Sequence, residues 1–284
     1  MRAEFPVWFL CFPAMLGLAF GSFLNVCIVR LPQGQSVVRP RSRCPACKAP
    51  IAAWQNIPML SWLILRGRCK ACGKRIAIFY PLVELAVALW FVSCFIQFEN
   101  GLVGDAVASG IHAVSAAVLG WLLLGLMVMD ARDGLLPNSF TLGGGLAGIL
   151  LLAASTVTLP ADPGTVMFTT PEKIVFGRVA AVLMVSLGLL VVRWVYKKLR
   201  GQDGMGLGDV KMTAMLAAFL GLHLTMMAFL VACIAGSLFA VVLMMRPRDK
   251  KTAVSVPFGS FLAIGGMYAL LLGQATLHWY LGFF

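Results

Sequence analysis

The sequence predicts an all-α polytopic membrane protein of about eight transmembrane helices, with a small cytoplasmic module between the first and second. Two observations carry this. The chain has 284 residues, of which 60% are hydrophobic and 12% charged, and its mean hydropathy is +0.91. No soluble domain of this length can hide so much apolar side chain. The net charge is +12, yet the bases gather between apolar runs. That pattern orients a chain in a membrane and gives no sign of a nucleic-acid partner; the partner it implies is membrane lipid.

Apolar stretches place spans near 7–29, 77–98, 106–129, 139–159, 174–195, 210–222, 225–245 and 257–280. The first reads as a retained span rather than a signal peptide, because its apolar run is too long and no small-residue cleavage site follows. The run Met212–Met245 would reach about 51 Å as one helix, well beyond the ~30 Å of hydrocarbon. Gly221-Leu222-His223 offers a break. Charge supports the split. Residues 30–76 hold ten Lys and Arg and no acid, and with eight spans 20 of the 23 bases fall on one side. That side is cytoplasmic, and both termini are then periplasmic. The division expected is 1–29 as the first span, 30–76 as the cytoplasmic module, and 77–284 as the membrane core. Residues 160–173 form an outer loop without evident chemistry.

Eight cysteines separate into two groups. Cys11, Cys27, Cys94 and Cys233 lie in apolar spans, where a thiol is a small hydrophobe. Cys44-Pro-Ala-Cys47 and Cys69-Lys-Ala-Cys72 lie in the basic module, where the cytoplasm disfavours disulfides. Two C-x-x-C pairs present four thiolates to one tetrahedral Zn²⁺. A redox pair is the alternative. Four cysteines leave no open coordination position, so the zinc is expected to be structural.

The acids supply the reactive chemistry. Asp209 stands in Gly204-Met-Gly-Leu-Gly-Asp-Val-Lys-Met212, where an acid opens a long apolar run. An acid there is a functional candidate by default. Gly206 and Gly208 let backbone come close without a Cβ in the way. Asp130 and Asp133 end the third span on the same membrane side. Two carboxylates sharing a site cannot both ionise easily. The ionised one can deprotonate water while the protonated one polarises a peptide carbonyl. Periodicity does not choose between Asp130 and Asp133. Lys211 points away from Asp209 on an ideal helix and reads as an interfacial anchor. Glu84, in Tyr80-Pro-Leu-Val-Glu-Leu85, is either a snorkelling acid beside the module or a site residue.

Taken in order, these motifs resemble the bacterial type IV prepilin peptidases, which also serve type II secretion pseudopilins. The resemblance runs nearly end to end. It rests on Gly21-Ser-Phe-Leu-Asn-Val26 with Arg30-Leu-Pro32, on the cysteine module with Trp54-Gln-Asn-Ile-Pro58, and on Tyr80-Pro-Leu-Val-Glu84. It continues with Asp130 seven positions before Pro137, Gly206-Leu-Gly-Asp-Val-Lys211 and Pro257-Phe-Gly-Ser-Phe-Leu-Ala263. The resemblance implies Asp130 and Asp209 as the catalytic acids, with Gly206, Gly208, Lys211 and Glu84 in supporting motifs. It implies prepilin and pseudopilin precursors as substrates, cut after a Gly at the cytoplasmic face of the inner membrane. It also implies N-methylation of the new terminus with S-adenosylmethionine. Asn138 stands where many members have Asp. The competing readings are a presenilin-like G-x-G-D protease, which would not need the cysteine module, and a zinc-stabilised scaffold or transporter, which would tolerate Asp→Asn at both acids.

Overall fold

A computed structural model describes residues 6–101, 106–157, 171–202, 204–245 and 257–282. Most of the expected outer loop 160–173 and the basic cluster Arg246–Lys251 lie outside the described residues. Eight α-helices follow in order: α1 (Cys11–Arg30), α2 (Leu60–Ile64), α3 (Phe79–Gly101), α4 (Ala106–Asp133), α5 (Asn138–Val157), α6 (Pro171–Arg200), α7 (Leu207–Met245) and α8 (Phe258–Leu281). Among the described residues the only β pairing is two isolated bridges, Arg43 with Pro50 and Arg68 with Arg75. All but α2 are long and apolar enough to cross a membrane. The chain is a multi-pass membrane protein.

Among the described residues seven helices are of membrane length, in keeping with the expectation of about eight spans, because α7 joins two helical pieces across a kink within its 39 residues. The expected break is there, but it is a single residue: Gly221, at φ 79° and ψ −177°. Glycine alone takes such a conformation without strain. The piece of α7 before it is about 21 Å long, too short for a full crossing. The kink frees a carbonyl, and Arg178 of α6 donates to Phe219 O at 2.9 Å.

Helix ends follow local chemistry. Gly134 (φ 61°) closes α4 through its N–H to Asp130 O at 2.9 Å. That is the usual work of a glycine just past a C-cap. Pro137 then starts α5, and its carbonyl accepts the Thr141 hydroxyl at 3.2 Å. Three bases, Lys197, Lys198 and Arg200, occupy the last turn of α6, where they complement the helix dipole.

The chain divides into two compact units, Met1–Trp121 and Leu122–Phe284. In the first, α1 packs on α3 at the closest possible range. A Cβ at Gly17 would stand 2.6 Å from Ala88 Cα, and one at Gly21 2.6 Å from Glu84 Cα. This small-xxx-small stripe lets two membrane helices meet backbone to backbone. Trp90 of α3 donates to Ala116 O at 3.0 Å. In the second unit, α7 packs against α5, α6 and α8. Gly265 lies against the Ala228 carbonyl, and Gly266 against Leu216 and Leu123.

Candidate active site and metal centre

Asp130 and Asp209 reach one site from different helices. Asp130 sits in the last turn of α4 and is 7% exposed, whereas Asp133 is exposed. The choice that helical spacing left open thus has a physical distinction. Asp130 Oδ2 accepts the backbone N–H of Ser260 at 2.6 Å. The Ser260 hydroxyl lies 3.0 Å from the same oxygen and 3.0 Å from Met127 O. Asp209 opens α7 half-buried, with its carboxylate beside Gly206. Asp130 and Asp209 border the same space, since Leu136 lies against Gly208 beside Asp209 and against Gly259 beside Asp130.

Three glycines and one leucine shape this site. A Cβ at Gly206 would stand 3.2 Å from Asp209 Oδ2. One at Gly259 would stand 2.9 Å from Asp130 Cγ. Leu136 lies against both aspartate neighbourhoods: its Cδ1 would be 3.1 Å from a Cβ at Gly208 and 3.0 Å from one at Gly259. Gly204 packs on the ring of Tyr196, and Arg193 donates to Met205 O, so the end of α6 holds the glycine turn. Lys211, expected as an interfacial anchor, donates to Asn138 Oδ1 at 2.9 Å. It ties the start of α7 to the start of α5.

Glu84 belongs to the first unit. It is 8% exposed, and its Oε2 accepts the backbone N–H of Met59 at 2.7 Å. Ser22 and Asn25 of α1 lie beside the same carboxylate, and Asn25 also donates to Tyr80 O at 3.0 Å.

Sequence reasoning missed Ser260, Gly259 and Leu136. Ser260 and Gly259 stood inside the quoted Pro257–Ala263 motif. Nothing in the spacing aims that motif at a carboxylate more than a hundred residues earlier.

The four cysteines of the module converge. The ligand atoms of Cys44, Cys47, Cys69 and Cys72 all lie within 4.8 Å of one another. Cys44 Sγ and Cys72 Sγ are 3.9 Å apart. A tetrahedral ion with metal–sulfur bonds of about 2.3 Å sets its sulfurs about 3.8 Å apart. The cluster thus fits a metal ion. Two like knuckles build it: Cys44 N–H bonds Ala49 O and Lys48 N–H bonds Cys44 O, as Cys69 N–H bonds Lys74 O and Gly73 N–H bonds Cys69 O. Backbone N–H groups of Cys47 and Ala46 push the Cys44 thiol down to about 6, whereas, against the Lys74 N–H, hydrogen bonds with Cys47 and the other thiols and burial push the Cys72 thiol up to about 11. The cysteines expected to be buried in spans divide: Cys27 and Cys94 are buried, Cys233 is half-buried and Cys11 is exposed.

Fold and site together define a polytopic membrane protein with two acids bordering one space and a four-thiol metal cluster. Residues 15–98 match the bacterial peptidase A24 N-terminal domain, and residues 117–241 match the type IV leader peptidase family. The prepilin leader peptidase/N-methyltransferase of Stutzerimonas stutzeri is 34% identical over 304 residues, covering 99% of this chain and 96% of that protein. The protein of the same name from Pseudomonas aeruginosa is 33% identical, with 99% and 96% covered. Another from Myxococcus xanthus is 38% identical over 250 residues, with 86% and 67% covered. No solved structure matches. The chain belongs to the type IV leader peptidase family and is a membrane peptidase of the branch whose members also carry an N-methyltransferase.

Proposed function

We propose that Asp130 and Asp209 are the catalytic pair of an aspartyl peptidase that removes the leader of type IV prepilins and pseudopilins. The reading is carried by one observation: Leu136 lies against both Gly208, which precedes Asp209, and Gly259, which lies against the Asp130 carboxyl group, so acids from separate helices border one glycine-lined site. In a shared pair one carboxylate is ionised and the other holds a proton. The ionised one takes a proton from water as the oxygen attacks the scissile carbonyl. The protonated one polarises that carbonyl. The C–N bond then breaks, and a proton passes to the departing amine. Gly206, Gly208 and Gly259 leave room for an extended peptide backbone beside the acids. Lys211 fixes the second aspartyl motif through Asn138.

Cutting after a Gly at the cytoplasmic face of the inner membrane agrees with the base distribution, which puts 20 of 23 Lys and Arg on the side of both acids. Both termini are then periplasmic. The metal in the module is zinc, held by Cys44, Cys47, Cys69 and Cys72. With four thiolates it is structural, and its binding supplies folding energy to a segment too small for its own core. The second activity transfers a methyl group from S-adenosylmethionine to the new terminal amine.

The test is cleavage of a purified pilin precursor in detergent, with the mass of both products as readout. Asp130→Asn and Asp209→Asn each abolish cleavage while the protein stays folded in the membrane. Cleavage at the wild-type rate by either variant refutes the assignment.

A further inference from the structure

Helix α2 has five residues, but both its ends are pinned. Met59, just before it, has φ 54°, a value that a bulky residue holds only when its surroundings impose it. The Met59 N–H donates to Glu84 Oε2 at 2.7 Å. After α2, Arg66 and Gly67 turn back with φ 51° and 64°, and the Gly67 N–H returns to Trp62 O at 2.8 Å.

Glu84 also sets the depth of α2. The α3 span Phe79–Phe98 has 20 residues. At 1.5 Å per residue it is about 30 Å long, the thickness of the hydrocarbon itself. Phe79 therefore lies near one boundary, and Glu84 stands about 8 Å inside it. Helical side chains lean towards the N-terminus of their helix, so the carboxylate leans back towards that boundary. Met59 meets it there, and α2 begins beside α3 where hydrocarbon gives way to headgroups.

The faces of α2 differ. Trp62 turns inward, with its indole N–H donating to Ile76 O at 3.3 Å and its ring against Gly67. Leu60, Leu63 and Ile64 share the other face and are 50%, 60% and 61% exposed. They follow Met59, which meets α3 one turn from its start, near the outward-turned Leu82. Around them, residues 30–76 hold ten Lys and Arg and no acid. An apolar stripe among bases at headgroup depth has the pattern of an interfacial helix on an anionic surface.

We propose that α2 lies in the membrane interface. Leu60, Leu63 and Ile64 enter the acyl chains, and the surrounding bases meet the phosphates of anionic lipids. The metal module is then seated in the bilayer surface, with Glu84 as the tie that sets its depth.

The full-length protein in nanodiscs containing anionic phospholipid, with a diazirine on a lipid acyl chain, tests this by irradiation and peptide mass spectrometry. Leu82 and Leu89 serve as the internal lipid-facing standard. Labelling of Leu60–Ile64 within about threefold of that standard is expected, and it falls at least about threefold when all lipids are zwitterionic. Labelled Leu82 and Leu89 with an unlabelled Leu60–Ile64 overturns the proposal. Labelling of Leu60–Ile64 that ignores lipid charge overturns the role of the bases. Loss of that labelling on adding a saturating pilin precursor, with the standard unchanged, makes the stripe a protein-docking face and also overturns it. Glu84→Ala should lower labelling of Leu60–Ile64 while the metal content stays at the wild-type level. Unchanged labelling in that variant removes Glu84 as the tie.

Discussion

Replacing Gly259 with Ala puts a methyl group where the structure holds the carboxyl group of Asp130. The new Cβ would stand 2.9 Å from Asp130 Cγ, 3.0 Å from Oδ2 and 3.0 Å from Leu136 Cδ1. Carbon atoms in good contact are about 3.5–4.0 Å apart, so the overlap is about 0.5–1 Å. Gly259 lies in the first turn of α8 at an ordinary helical conformation, so the backbone accepts Ala and the effect is steric. The end of Leu136 can swing aside. Asp130 is less free, because the Ser260 N–H holds its Oδ2 at 2.6 Å and Ser260 is the next residue along the chain. The carboxyl group must therefore shift by roughly half an ångström or more. A displacement of about 1 Å in a reacting group can cost about 10²-fold in rate. Gly259→Ala should lower kcat for leader cleavage by about 10- to 100-fold, with KM changed by less than about threefold. Membrane yield and thermal unfolding in detergent establish that the variant is folded. Gly143→Ala, where nothing lies within 4 Å, is the control and should cleave like wild type. A folded Gly259→Ala protein with wild-type kcat would show that the position of the Asp130 carboxyl group does not govern the reaction.

Asp133→Asn should keep wild-type cleavage, since Asp133 is exposed; a dead but folded variant would reverse the choice of Asp130. Freshly purified protein should carry about one zinc per chain, and Cys69→Ser should lose it; metal analysis decides. Gly21→Leu should destabilise the first unit by at least about 1–3 kcal/mol through overpacking, because even a Cβ there would stand 2.6 Å from Glu84 Cα; thermal melts relative to wild type measure it. Asp209→Asn should still methylate a pre-cleaved pilin with labelled S-adenosylmethionine, because methyl transfer needs a donor and a free amine rather than the acid pair; joint loss of both activities in a folded protein would show a shared site.

Much of this architecture was legible because the membrane makes strong demands. Length and charge located the spans, and the kink residue of α7 was readable because a run of about 51 Å must break somewhere. The four thiols were readable because C-x-x-C knuckles are local. The acids were legible as a pair only through topology, which put both at one membrane face. Choosing Asp130 from the residues alone required knowing which side of the last turn of α4 meets α8. Neither helix states that locally, because apolar membrane helices carry little amphipathic signal to mark their faces. Ser260 was hidden for the same reason. The Glu84–Met59 bond was hidden for another: it depends on a positive φ at a methionine, which no propensity anticipates.

Glycine does different work in the two units, and the difference bears on how the chain tolerates change. Gly17 and Gly21 meet backbone atoms of α3, which cannot yield without moving a whole helix. Gly206, Gly208 and Gly259 meet side chains, namely Asp209, Leu136 and Asp130. Those atoms can move, but moving them shifts the two carboxyl groups of the proposed catalytic pair. Substitution at the first pair is therefore felt as stability, and at Gly21 it reaches Glu84 and, through it, Met59 before α2. Substitution at the second set is felt as rate with the fold retained. A chain that must hold two carboxylates together in an apolar surround needs both kinds. On the proposed aspartyl mechanism, the scaffold has to be rigid enough to keep the acids from parting, and the site open enough for a peptide backbone to lie between them.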